Sequence, residues 1–226
     1  GLKTISSETG KLRDLDVMIL NQQYYTDLVP EQLQNGLTLF FNYIREIRKE
    51  AHAAASSYFS SPAYAEIIRN IETTCKKPAN KLCIGGTVSV RQKAATVIEH
   101  RFTKLRQKIS KFSKNKEIIH KIRIDCKKAR YLLELFGQLY PGGGIKKMIK
   151  ELKRFQTSLG NLHDIFVQHE MLVNSIHDME QSEWNSPEAT AAVGGLITVL
   201  SEKRTKFTAE AEKALKNYKA KILFTV

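Results

Sequence analysis

His120, Arg123, Lys127 and Arg130 recur at steps of three, four and three, the spacing that stacks side chains along one stripe of a helix with 3.6 residues per turn. Like charges at these spacings repel, so the row costs helix stability unless a polyanion or internal carboxylates offset it. The chemistry it offers is capture of an anion. Arginines present planar forks that meet two phosphate oxygens, whereas lysines such as Lys127 and Lys128 act as compact charges. His120 adds a conditional charge, because imidazole changes protonation in the physiological range; the alternative for it is a packed, neutral histidine. A second row, Lys147, Lys150 and Arg154, advances by three and four with Lys153 beside it. That spacing predicts a second basic wall facing the same cleft.

The charge of the whole chain is concentrated around these rows. From Arg91 to Arg154 there are nineteen Lys or Arg against five Asp or Glu, while the rest of the 226 residues carries seventeen against eighteen, so the entire excess of +13 is local. A concentrated basic patch is the electrostatic footprint of a phosphate-rich partner. Arg101, Lys104 and Lys108 share one helical face and either extend the patch or form a solvated surface. Lys11, Arg13, Arg45 and Arg48 are candidates for a further share of it, although Glu46 and Glu50 interleave the last two as surface ion pairs would.

Other chemistries lack their residues. The six histidines include no His-x-x-x-His pair and no cysteine cluster of metal-ligand spacing, so neither a metal nor another cofactor is expected. No Gly-x-x-x-x-Gly-Lys loop or nucleophile elbow is present, and Asp14 and Asp16 point to different helix faces. The expectation is a protein that is not an enzyme. Three cysteines, Cys75, Cys83 and Cys126, form no CxxC pair, which argues for a reducing compartment. No apolar run suits a signal peptide or a bilayer span. These features predict a cytoplasmic protein with no membrane partner.

The elements that position the basic rows read as helices throughout. At 42% apolar content the chain can bury a substantial core. Pro30, Ser60-Ser61-Pro62, the stretch from Lys76 to Gly86, and Pro141-Gly142-Gly143-Gly144 punctuate it. Between them the pattern predicts helices over 11–28, 31–59, 62–75, 89–112, 116–139, 145–159, 162–181 and 187–219. In the 116–139 helix, Ile119, Ile122, Cys126, Ala129, Leu133 and Phe136 form the apolar face, and the basic stripe lies about a quarter turn away at ~100° per residue. Tyr131 is assigned to core packing, since helical aromatics usually bury their area.

Self-comparison aligns Gly160-Asn-Leu-His-Asp164 with Gly10-Lys-Leu-Arg-Asp14. Such an interval suggests two related halves, each with a Gly-x-Leu-x-Asp turn into a helix. Asp14 and Asp164 would then either order neighbouring arginines by ion pairing or, the favoured reading, sit at helix starts as partners of the helix dipole. The expected fold is all-α: two pseudo-symmetric antiparallel bundles of the four-helix type packed around a basic groove. The first half covers residues 1–75, a linker 76–88, and the second half 89–226.

His120-x-x-Arg123, Lys127-Lys128-Ala-Arg130-Tyr131 and Leu152-x-x-Phe155-Gln156-x-x-Leu159-Gly160-x-x-x-Asp164 together resemble the CHAD domain, the conserved histidine α-helical domain. The resemblance covers most of the chain. It implies two four-helix bundles whose basic residues line a groove or pore that binds inorganic polyphosphate, often at polyphosphate granules. In that family the first half has its own His-x-x-Arg helix, and the offset places its counterpart before residue 1. The expectation is therefore that this helix, and with it part of the site, lies outside the chain.

Three functions follow as expectations. The first is non-catalytic binding of polyphosphate or another polyanion, as a granule-targeting module or an accessory to a triphosphate-processing enzyme. The second is a helical RNA- or DNA-binding protein, which needs aromatics for base stacking; the basic rows contain few. The third is a groove for an acidic partner helix. Oligomeric state is left open.

Overall fold

The computed structural model describes residues 2–76, 88–112, 115–141 and 144–219. The side chains of Leu2 and of 217–219 are outside that description, as are Cys83, Gly142, Gly143 and nearly all of the expected 76–88 linker. Among the described residues there are nine α-helices and no strand, which makes the protein all-α. They are α1 Leu2–Glu8, α2 Gly10–Leu20, α3 Gln22–Thr26, α4 Glu31–Phe59, α5 Pro62–Lys76, α6 Val90–Ser110, α7 Lys116–Phe136, α8 Gly144–Glu180 and α9 Pro187–Lys219. A single 3₁₀ turn, Gly137–Leu139, follows α7.

Local chemistry accounts for the helix starts. The Ser89 hydroxyl accepts from the Gln92 backbone N–H at 3.2 Å to cap α6. Asn115 Oδ1 does the same for Glu117 at 2.8 Å ahead of α7. Each supplies an acceptor to a first-turn amide that has no partner within the helix. Pro62 and Pro187 occupy first helical positions, where the missing N–H costs nothing.

The helix α1, Leu2–Glu8, forms where none is expected, and two expected boundaries differ. The predicted 11–28 helix is interrupted at Asn21, whose side-chain amide donates back to the Val17 carbonyl at 2.7 Å, leaving α2 and α3 as separate pieces. The predicted break at Gly160 does not exist, because α8 runs unbroken from Gly144 to Glu180. Leu152, Phe155, Leu159, Leu162 and Ile165 stay buried in helical register through the glycine. Their burial, at roughly 1.5–3 kcal/mol per large apolar side chain, outweighs a glycine cost of ~1 kcal/mol. Gly160 and Asp164 therefore lie deep within a helix, whereas Gly10 opens one. The shared turn proposed from the repeat is absent, and Asp164 is no partner of a helix start.

The helices belong to two compact units. One comprises Gly1–Lys81 with Leu172–Val199, the other Leu82–Met171 with Leu200–Val226. Both α8 and α9 contribute residues to each, so the units are not contiguous halves of the chain.

In the first unit, Tyr25 stacks on Phe41 at 6.2 Å and Phe40 meets Phe41 edge-on at 5.3 Å. Gly36 marks a close helix approach: a Cβ there would lie 2.2 Å from the Glu188 carbonyl oxygen and 2.8 Å from Ala192 Cβ. Burial, then the charges of Asp178 and Glu50, push the Tyr43 hydroxyl pKa up.

In the second unit, Ile98, Phe102, Leu105 and Ile109 of α6 pack with Ile119, Ile122, Cys126, Ala129 and Leu133 of α7. Leu152, Phe155, Leu159 and Leu162 of α8 and Ala211 and Leu215 of α9 complete the cluster. The Tyr140 hydroxyl donates to the Arg91 carbonyl at 2.6 Å, joining the end of the α7 segment to the start of α6. These two helices therefore run antiparallel.

Two outcomes test this packing. Gly36→Ala has no room for its methyl and should lower stability in urea by ~1–3 kcal/mol, as overpacked sites do. Cys126 is fully buried, and burial followed by the Asp125 charge raises its thiol pKa well above the ordinary value. Peptide mapping after native alkylation should find the exposed Cys75 modified and Cys126 untouched until the protein unfolds.

Candidate anion-binding groove

The apolar face of α7 sets the rotation of that helix, and with it the direction of the basic stripe. Arg123 and Arg130, seven residues apart, stand two turns and ~10 Å apart along the axis. They form the edge of the stripe nearer the core and are half-buried, whereas His120 and Lys127 stand farther out and are exposed.

Arg123 and Arg130 form one wall of an open groove of about 460 Å³. The other wall belongs to α8: Lys153, Gln156, Thr157, Gly160, Asn161 and Asp164. Their spacing of three, one, three, one and three keeps all six on one helix face. Gly160 lies opposite Arg123, where a Cβ would stand at ordinary contact distance, 3.8 Å, from Arg123 Nε.

Arg130 is the most constrained cation. Its Nε donates to Gln156 Oε1 at 2.9 Å, and its Nη1 donates to Glu134 Oε1 and Oε2 at 2.9 and 3.1 Å. Its side chain keeps 17% exposure. The same Glu134 oxygen lies 3.5 Å from Lys153 Nζ, so one carboxylate bridges a cation from each wall. The Arg130 guanidinium also sits 4.6 Å from the centre of the Tyr131 ring, and Lys127 Nζ lies 5.7 Å from it. Tyr131 is 47% exposed, which corrects its assignment to the core: at one residue past Arg130 it has turned outward, and the two cations flank its ring.

His120 Nδ1 and His163 Nε2 are 3.3 Å apart, with ring centres at 4.8 Å. One nitrogen donates and the other accepts, so His120 is a paired surface histidine on the groove side of α7. Two imidazoles do not make a metal site, and no group of three His, Cys, Asp or Glu among the described residues could hold an ion.

Several candidates lie elsewhere. Lys128, Lys147, Lys150 and Arg154 are exposed but do not line the groove. The row 147, 150, 154 is about a quarter turn from the groove face of α8 at ~100° per residue. Arg101 and Lys108 are neither a free patch nor a solvated face. Both converge on Asp125, a carboxylate only 4% exposed, Arg101 at 3.2 Å and Lys108 in direct contact. They tie α6 to α7 on the flank of α7 away from the stripe, since Asp125 lies ~140–160° around the helix from Arg130 and Arg123 at ~100° per residue.

In the other unit, Lys11 is exposed, Arg13 pairs with Asp14 at 2.7 Å, and Arg48 pairs with Asp16 at 2.8 Å. Arg45 donates to Gln22 at 2.5 Å and Asn42 at 3.0 Å. The expected partners Glu46 and Glu50 are not those of Arg48; Glu46 pairs with Lys49 at 2.6 Å. The short Asp16 reaches Arg48 from a neighbouring helix, which spacing along a single helix does not reveal.

Sequence reasoning missed Glu134, Gln156, Asn161 and His163. Glu134 had a signal, because it continues the stripe four residues beyond Arg130. His163 had none, being 43 residues from the histidine it meets.

Among the described residues the architecture is all-α, and this is the class that the fold defines. A family model described as the CHAD domain matches residues 1–173, and the chain belongs to that family. A comparison with curated proteins returns no match.

Two substitutions probe the groove and its support. Gly160→Ala places its methyl at ordinary contact distance, so relief of the glycine cost should raise urea stability by ~0.5–1 kcal/mol. Asp125→Asn keeps the shape but removes the charge that Arg101 and Lys108 share, and should lower stability by ~1–3 kcal/mol, measured in the same way.

Proposed function

We propose that this protein binds inorganic polyphosphate without transforming it, using the groove between α7 and α8. The observation that carries the reading is the convergence of Arg123, Arg130 and Lys153 on one open groove. A linear chain of phosphoryl groups matches cations spread along two turns of helix, and each contact releases counterions from the polyanion. Gln156 holds the Arg130 fork in place before a ligand arrives, which lowers the ordering cost of binding. Family membership supports the same reading, since the CHAD resemblance implies polyphosphate as ligand. His120, Lys127 and Lys128, and the outer row of Lys147, Lys150 and Arg154, would extend the positive field around the groove. No catalytic role is assigned to any residue. Targeting to polyphosphate granules, or service to a triphosphate-processing enzyme, are the uses this binding fits, in a compartment taken to be the cytoplasm. No described helix is long and apolar enough to cross a membrane.

A second reading has one specific observation in its favour. Exposed Tyr131 beside Lys127 and Arg130 offers the aromatic and cationic combination on which single-stranded nucleic acid bases stack. Competition separates the two. Labelled long-chain polyphosphate should resist displacement by single-stranded RNA of equal charge concentration; equal displacement, lost on Tyr131→Ala, would favour nucleic acid.

The Arg123→Glu, Arg130→Glu double variant should keep its helical circular dichroism, because like-charge helix pairs cost only a few tenths of a kcal/mol. Its affinity for long-chain polyphosphate should fall more than about tenfold, with a shallower salt dependence. Retained affinity in a gel-shift titration sinks the groove as the binding site.

A further inference from the structure

We infer that Glu134, which stands beside the groove and pairs with two of its lining cations, is a resident competitor anion that sets specificity by making a phosphate ligand displace it; the inference rests on the polyphosphate reading above. Arg130 Nη1 and Lys153 Nζ, two of the three groove cations, already face its carboxylate, at 2.9 to 3.1 Å and at 3.5 Å. Arg123, the third, is eleven residues from Glu134, ~16 Å along α7, and outside its reach.

The geometry allows exchange. Glu134 is four residues from Arg130 on the same helix face, so a rotamer change swings the carboxylate toward solvent without moving the backbone. Arg130 does not follow, because Gln156 on α8 holds its Nε independently. Nη1 is then presented to the incoming anion with its direction already set. Departure of a partly exposed ion-pair partner is a modest cost.

That cost acts as a filter. A short anion at Arg130 merely replaces one carboxylate with another anionic group. A long phosphoryl chain replaces it while also engaging Arg123, and the covalent link turns the later contacts into intramolecular ones. Glu134 therefore lowers the affinity of short phosphates in greater proportion than that of long chains, and favours linked phosphates over the free phosphate pool.

The test compares wild type with Glu134→Gln, in which a neutral amide oxygen can still accept from Arg130. Glu134→Ala serves as a second variant, and Glu117→Gln as a control. Glu117 is on the same helix, exposed and paired at 3.4 Å with Lys121, which is not a groove cation. Affinities for tripolyphosphate and for long-chain polyphosphate are measured by calorimetry at fixed ionic strength, with circular dichroism confirming the fold. Glu134→Gln should bind tripolyphosphate about two- to fivefold tighter, the order of one partly exposed ion pair. The gain for the long chain should be smaller, the control should change little, and Glu134→Ala should shift in the same direction. Unchanged or weaker tripolyphosphate binding, or an equal gain in Glu117→Gln, overturns the role of Glu134 while leaving polyphosphate binding intact. Failure of wild type to bind long-chain polyphosphate overturns the functional reading itself, and the competitor role with it.

Discussion

Everything distinctive about the groove depends on the burial of one face of α7. Ile119, Ile122, Cys126, Ala129 and Leu133 are fully enclosed by α6, α8 and α9 residues, at a combined stabilisation of several kcal/mol. A helix held that firmly cannot rotate, and side chains a quarter turn from its core seam have one direction available. The basic stripe is therefore a consequence of where the apolar seam lies. Loss of the seam would turn an ordered row of cations into a repelling surface helix.

The molecule offsets part of that repulsion internally, at the far end of the stripe. There Glu134 bridges Arg130 and Lys153. On the other flank of α7, Asp125 accepts Arg101 and Lys108 at a nearly solvent-free position, where a carboxylate is tolerable because two cations accompany it. The groove keeps Arg123, Arg130 and Lys153 within one open space. The arrangement stabilises the unliganded fold yet leaves its cations close to the surface, as a reversible anion site requires.

Helix existence was legible from periodicity, because α4, α5, α7 and α9 each carry an apolar face with caps or prolines at their starts. Helix continuity was not. Gly160 looks like a stop signal in one dimension, and only the uninterrupted burial of Leu159 and Leu162 on either side shows that α8 passes through it. The direction of Tyr131 failed for a related reason: its type suggests a core, while its angle around α7 places it outside. The α7 candidates Arg123 and Arg130 were readable because a single helix contains their spacing. On α8 the row chosen by charge was 147, 150, 154, whereas the groove takes Lys153 with the small and uncharged residues Gln156, Thr157, Gly160 and Asn161. A pattern built on charge alone overlooks the residues that make room.

By itself, the sequence determined the all-α class, the local concentration of positive charge, the α7 stripe and the family, because helical periodicity and motif spacing are properties of a short continuous stretch. The tertiary structure decided which cations share a groove, which are tied down by Asp125, Asp16 and Glu134, and which histidine meets His120. Those pairings join residues on different helices or depend on small differences in angle around one axis. Their energies come from packing and desolvation, which only the assembled core defines.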